Sequence, residues 1–316
     1  MAYAYNANYA TALATSAMEK FRKTLVDNFS LKNILMKKLQ EKGAVKGEDG
    51  GQKIVQPLLV GASTTVKSYN GLEELDLAGQ EGITAGEWEW KENAGTLILS
   101  QREMDINSGE AQIFKLLTAK MKQLDLSLRA NMATQMFSDG TGNGGKDLTG
   151  LRALVTNTGT YAGIARATDT YWQAQVEATG AALTQAYMTD MMLATQAQGL
   201  DGKPNLIITT SVLWAKYSSL IQPAWRVEDQ KLVSMGWDNI NFMGVPVVWD
   251  QYCPATYMYF LNTELMEFIY HNNANFKQIG PIQPAKQTAT VYIVRHMGNL
   301  TATNCAKQGV LTGKTA

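Results

Sequence analysis

From Glu110 to Ser138 the apolar residues Ile113, Leu117, Met121, Leu124, Leu128, Met132 and Met136 recur at spacings of four and three. That period predicts one continuous apolar stripe on a single helix. Asn107 and Glu110 supply a capping signal ahead of it, and Asp139-Gly140 ends it. At 1.5 Å rise per residue the helix is roughly 40 Å long, the proportions of a structural spine.

Upstream the period changes to two. Lys53–Val60 and Ala62–Tyr69 read as strands, and Glu87-Trp-Glu-Trp-Lys91 alternates strictly, so Trp88 and Trp90 share one face. Asn93-Ala-Gly95 supplies turn residues before a further strand, Thr96–Arg102. Together these predict a long hairpin whose middle, Gly71–Gly86, is glycine-dotted and acidic. A hairpin of this length cannot bury its own face and needs a partner surface. The first 41 residues carry only a weak amphipathic pattern, Leu13, Ala17, Phe21 and Leu25, followed by Lys37, Lys38, Lys42 and Lys46. This is too little apolar surface for a core, and it predicts an arm that lies on something else.

Downstream, helical and strand patterns alternate. Thr179–Gln198 reads as a helix, Pro204–Thr210 as a buried strand, and Ser211–Ile221 as a helix capped by Ser211. Asn241–Asp250 and Tyr257–Asn262 read as strands, and Thr288 to about Leu300 as one long strand before a polar tail. The fold class is α+β.

Charge narrows the functions. The 316 residues carry 28 basic and 28 acidic side chains. Tight nucleic-acid binding draws on phosphate neutralisation, and a balanced chain has no excess to supply it. Neutrality also removes long-range repulsion between copies packed side by side. Two cysteines, Cys253 and Cys305, make no disulfide framework, and a reduced intracellular birthplace is expected. The N-terminus lacks the basic start and apolar run of a signal peptide, and no apolar run is long enough to span a bilayer, so a chain soluble at birth is expected.

Local motifs add no chemistry. Gly140-Thr-Gly-Asn-Gly-Gly-Lys146 imitates the start of a phosphate-binding loop. It follows a helix rather than a strand, and Asp147 stands where a magnesium-binding hydroxyl belongs. Read as a calcium loop from Asp139, it has Gly150 where a bidentate Glu is needed. His271 and His296 have no zinc-ligand spacing to Cys, His or carboxylates, and Ser211 lacks a glycine elbow. No catalytic residues, cofactor or metal are expected.

The order of elements carries a resemblance: arm, long hairpin, spine helix, glycine loop, α/β region, returning strand. Asp147-Leu-Thr-Gly-Leu-Arg-Ala-Leu154, Tyr161-Ala-Gly-Ile-Ala-Arg166 with Tyr171-Trp172, and Ile207-Ile-Thr-Thr210 stand in sequence. Phe242-Met-Gly-Val-Pro-Val247, Asp250 and Leu261-Asn262 complete the series. Over nearly its whole length the chain resembles the tailed-bacteriophage major capsid proteins of the Hong Kong 97 capsid fold. The resemblance implies an N-terminal arm (1–49), an extended hairpin loop (50–107), a peripheral domain with the spine helix (108–178), an axial domain (179–280) and a return strand to the peripheral domain (281–316).

It further implies hexamers and pentamers closing into an icosahedral virion shell in the host bacterial cytoplasm, around double-stranded DNA held non-specifically. A separate scaffolding protein, a portal and a decoration protein are the implied partners, with no membrane. Trp88 and Trp90 are then expected to pack across a subunit boundary. Lys37, Lys38, Lys42 and Lys46 are expected to meet a neighbour's acidic loop, Glu73, Glu74 and Asp76. An encapsulin-like compartment shell is the alternative of the same fold, and a phage-associated hydrolase the alternative of another class.

Overall fold

The computed structural model describes residues 33–61, 63, 65–74, 82–106, 110–199, 202–221, 239–285 and 287–316. Leu13, Ala17, Phe21, Leu25, Asp76, Asn107 and the side chain of Ile113 lie outside the described residues.

Helix α1 (Ile34–Glu41) begins at Asn33, whose side chain accepts from the Met36 amide at 3.1 Å. Strands β1 (Val45–Glu48), β2 (Lys53–Leu59), β3 (Ile83–Glu89) and β4 (Lys91–Ser100) follow, then α2 (Gln101–Ile106) and the spine helix α3 (Glu110–Gln135). The middle of the chain adds α4 (Leu151–Leu154), β5 (Thr160–Tyr161), β6 (Ile164–Ala165), β7 (Gln175–Glu177), β8 (Ala181–Ala182) and α5 (Gln185–Gln196). The remainder is β9 (Leu206–Thr209), α6 (Ser211–Leu220), β10 (Asn239–Phe242), β11 (Val245–Trp249), β12 (Met258–Leu261), β13 (Met266–His271), β14 (Lys277–Ile282), β15 (Ala289–Ala302), β16 (Gly309–Leu311) and β17 (Lys314–Thr315).

Two sheets organise these elements. In the first, the 14-residue β15 pairs with β4 along one edge. Along its other edge it pairs with β14 and then β13, and β1 adds to β13 in parallel. Alternation sends Leu97, Leu99, Tyr292 and Val294 to the buried face, together with Leu117, Met121, Leu128, Met132 and Met136 of the spine helix. The second sheet has the order β10-β11-β9-β12-β16-β7. Met188, Met192, Leu213 and Tyr217 of α5 and α6 pack on its Ile207, Val247 and Phe260. Its other face, including Ile208, Val248 and Tyr259, joins the core around the spine helix.

The spine helix falls where its periodicity predicts. Several other expectations are corrected. Asn93–Gly95 is not a turn but the middle of β4. A Cβ on Gly95 would stand 2.5 Å from Leu124 Cδ1, and Asn93 donates to the Gln135 side chain at 2.8 Å. Both residue types serve close contact with the helix rather than chain reversal. The hairpin instead pairs β2 with β3, and the described residues of Ala62–Tyr69 form no strand.

The stretch Asn241–Asp250 is split by Met243 and Gly244 at φ of 49° and 79°, which turn β10 back onto β11. Helix α5 starts only at Gln185, because Ala181–Ala182 pairs with β17. The cap of α6 is Thr210, not Ser211. The expected tail contributes β16 to the second sheet. Sheet membership therefore cuts across the expected boundaries: β13 and β14 belong with β4 and β15, and β16 with β9 and β12.

Candidate assembly surface

The hairpin has one anchored face and one bare face. Its inward register sets Ile54 beside Trp88 and Leu58 beside Thr84, and Ile54, Trp88 and Leu58 are buried. The Trp88 ring meets Tyr161 edge to face with centroids 6.0 Å apart, and the Glu87 amide donates to Ala162 O at 2.9 Å. Gly86 makes room, since a Cβ there would lie 2.6 Å from Trp88 Cη2. The outward register carries Val55, Pro57, Leu59, Ala85 and Ile83, all exposed, with Leu59 at 84% and Ile83 at 77%. In the loop beyond, Val66 and Leu72 are almost fully exposed.

A second bare face lies on the first sheet, opposite the spine helix. Register places Ile98, Val291 and Ile282 in one row and Thr96, Ile293 and Ile279 in the next. Ile98 is 50% exposed, and Ile279 and Ile282 are also exposed. The row after them is polar, with Lys277 and with Arg295, whose Nε lies 3.2 Å from a Glu92 carboxylate oxygen. Contiguous apolar faces of this kind mark interaction surfaces.

The residues singled out in the sequence are distributed differently. Trp88 was expected to pack across a subunit boundary, but it sits at the hairpin base, 3% exposed and packed inside its own subunit. Trp90 is half-buried, donates from Nε1 to Gly51 O at 3.0 Å, and meets the His271 ring at 5.5 Å. Lys42 and Lys46 bind Glu264 and Glu267 of their own chain at 2.5 and 2.6 Å, clipping the α1–β1 segment along β13. Lys38 stands 3.6 Å from Glu41, and Lys37 is half-buried on α1. Glu73 and Glu74 are exposed in the hairpin loop.

Sequence reasoning missed the face around Ile98 and Val291. Its available signal was the run Thr290-Val-Tyr-Ile-Val294, apolar at both parities, which marks a strand with two apolar faces.

Two buried side chains hold the anchored parts together. Asn299 accepts from the Thr149 amide at 3.0 Å and donates to Glu89 O at 2.9 Å, tying β15 to the loop after the spine helix and to the hairpin base. Arg166, 1% exposed, donates to Leu154 O, Trp172 O and Thr158 O at 2.7, 3.1 and 3.2 Å, and stacks over Tyr161. The sequence stretch Tyr161–Arg166 is thus a staple. The glycine loop is likewise tied down: Lys91 Nζ donates to Gly145 O at 2.7 Å, and the Asp139 carboxylate accepts from the Thr141 hydroxyl and amide. Those Thr141 bonds hold the Asp139 pKa below the usual carboxylate value. Among the described residues no three His, Cys, Asp or Glu side chains converge on a metal-sized site.

This fold is that of bacteriophage capsid proteins. It is shared with a chain of the cyanophage A-1(L) capsid at a TM-score of 0.67 and 19% identity, over 87% of this chain and 91% of that one. It is shared with the capsid of an empty GTA particle at 0.58 and 16%, over 88% and 89%. The capsid of Myoviridae phage XM1 gives 0.56 and 11%, over 87% and 90%. No curated protein sequence matches. The SU10 major capsid protein family matches residues 100–305, and the chain belongs to that family. Of the two shell alternatives, the family that matches is the phage capsid protein.

Proposed function

We propose that this chain builds hexamers and pentamers that close into an icosahedral phage shell around double-stranded DNA, and that it acts without catalysis or cofactor. The observation that carries this is the pair of bare apolar faces, on the hairpin around Leu59 and Ile83 and on the first sheet around Ile98 and Ile282. Neither covers the other within a subunit. Covering each such side chain contributes about 1.5–3 kcal/mol at full burial, so a second copy is the cover that a shell requires.

A separate scaffolding protein sets curvature, a portal occupies one vertex, and a decoration protein binds the finished exterior. Assembly proceeds in the host bacterial cytoplasm. The balanced charge of 28 against 28 supports weak, sequence-independent contact with packaged DNA that vanishes as salt rises. Light scattering on the purified chain tests the self-association, across salt and concentration and with scaffold supplied. Capsomer-sized rings or shells are expected, and a strict monomer throughout defeats the proposal.

A further inference from the structure

His296 sits where the edge of β15 passes from one partner to the next. β14 pairs with Val291–Arg295 and β13 with Gly298–Ala302, so His296 lies at the gap. Its ring is 3% exposed and is stacked on Phe268 at 5.8 Å, with 7° between planes, and on Phe276 at 4.7 Å. Neither Nδ1 nor Nε2 has a hydrogen-bond partner. Phe276 itself holds φ of 46°, a left-handed conformation that a bulky side chain resists unless its surroundings fix it. The stacked imidazole is one of the core contacts that hold it there.

This site accepts only the neutral ring. Two phenyl faces offset part of a positive charge, but an imidazolium carries two in-plane N–H donors, and the pocket supplies no acceptor. Burial accordingly holds the His296 pKa down to about 4. Strand alternation puts the nearby charged groups on the other face: Arg295 on β15, Glu92 on β4, Glu267 on β13 and Lys277 on β14. On the same side stand Asn93 and its partner Gln135 of the spine helix, with Asp147 behind, accepting from Gln135 at 3.2 Å.

We propose that His296 latches an acid-opened flap: its protonation drives the ring to water, releases Phe276 from its left-handed backbone, and detaches Asn272–Ile282 from β15. The remaining pairing of β15 with β4 and β13 stays. Ile279 and Ile282 of the flap belong to the bare sheet face, so opening also loosens contacts between copies. That consequence rests on the proposed shell, whereas the flap itself does not.

Hydrogen exchange of the full-length, unassembled chain tests the flap at about pH 7 and about pH 4.5, with rates corrected for the intrinsic effect of pH. Peptides spanning 272–283 should lose protection about tenfold to a hundredfold in acid, while β9 and β12 keep theirs. The variant His296→Leu, or His296→Met should the first fail to fold, should keep the flap protected at both values. Equal protection of the wild-type flap at both pH values overturns the proposal. So does parallel loss in β9 and β12, or the same acid loss in the His296 variant. Assembly of the wild-type chain is scored separately by light scattering, so failure of the shell and failure of the flap are read independently.

Discussion

The Trp88 indole meets the Tyr161 ring edge to face across 6.0 Å, and this contact fixes the base of the hairpin to the subunit that carries it. Trp88→Ala should therefore destabilise the isolated subunit by about 3–5 kcal/mol, as loss of a buried aromatic does. Trp90→Ala, at a half-buried position, should lower stability much less. Denaturant unfolding of unassembled chain separates the two, and equal small effects would refute the anchoring role.

The bare face should behave in the opposite way. Leu59→Asp combined with Ile83→Lys, an opposite-charge pair across the two strands, should leave subunit stability within about 0.5 kcal/mol, since both side chains are exposed. The same double variant should abolish particles. Thermal unfolding and sedimentation check the two halves, and normal particles from this variant would remove the hairpin face from assembly.

Arg166 satisfies three carbonyl groups with one guanidinium. Arg166→Met should cost about 3 kcal/mol, because the carbonyls of Leu154, Trp172 and Thr158 lose a buried donor. Arg166→Lys should recover little, since one ammonium cannot reproduce the fork geometry. A full rescue by lysine, measured as the denaturant midpoint, would contradict the staple.

How much of this was legible depends on whether a signal was local. The spine helix was legible because Leu117, Met121, Leu128, Met132 and Met136 all face one core. Gly95 and Asn93 misled because turn residues and close-packing residues are the same residue types, and only Leu124 and Gln135 reveal which is meant. Lys42 and Lys46 pointed to a neighbour's acidic loop because their own-chain partners, Glu264 and Glu267, lie more than two hundred residues away. The bare sheet face needed three strands in register, which no single stretch of sequence displays.

Asp250 predicts a pH dependence. Its Oδ1 accepts from the Tyr252 amide at 2.9 Å, while Oδ2 is buried without a partner. Burial raises its pKa above the ordinary carboxylate value. The folded chain then holds this proton more tightly than the unfolded chain, so the contribution is favourable in acid and is lost as pH rises through the raised pKa. Asp250→Asn should thus stabilise the subunit at about pH 7, with the gain shrinking towards about pH 4. Melting temperatures of both proteins at the two pH values check this, and a gain that grew in acid would reverse the sign.

The proposed closed shell requires that the bare hairpin face of one copy be covered by another copy. Electron cryomicroscopy of the purified chain, assembled alone and with the proposed scaffolding protein, tests it most directly. The predicted result is closed icosahedral particles in which Leu59 and Ile83 of every subunit lie against a neighbouring subunit. Particles in which both side chains face solvent, or only single subunits under every assembly condition, would contradict it.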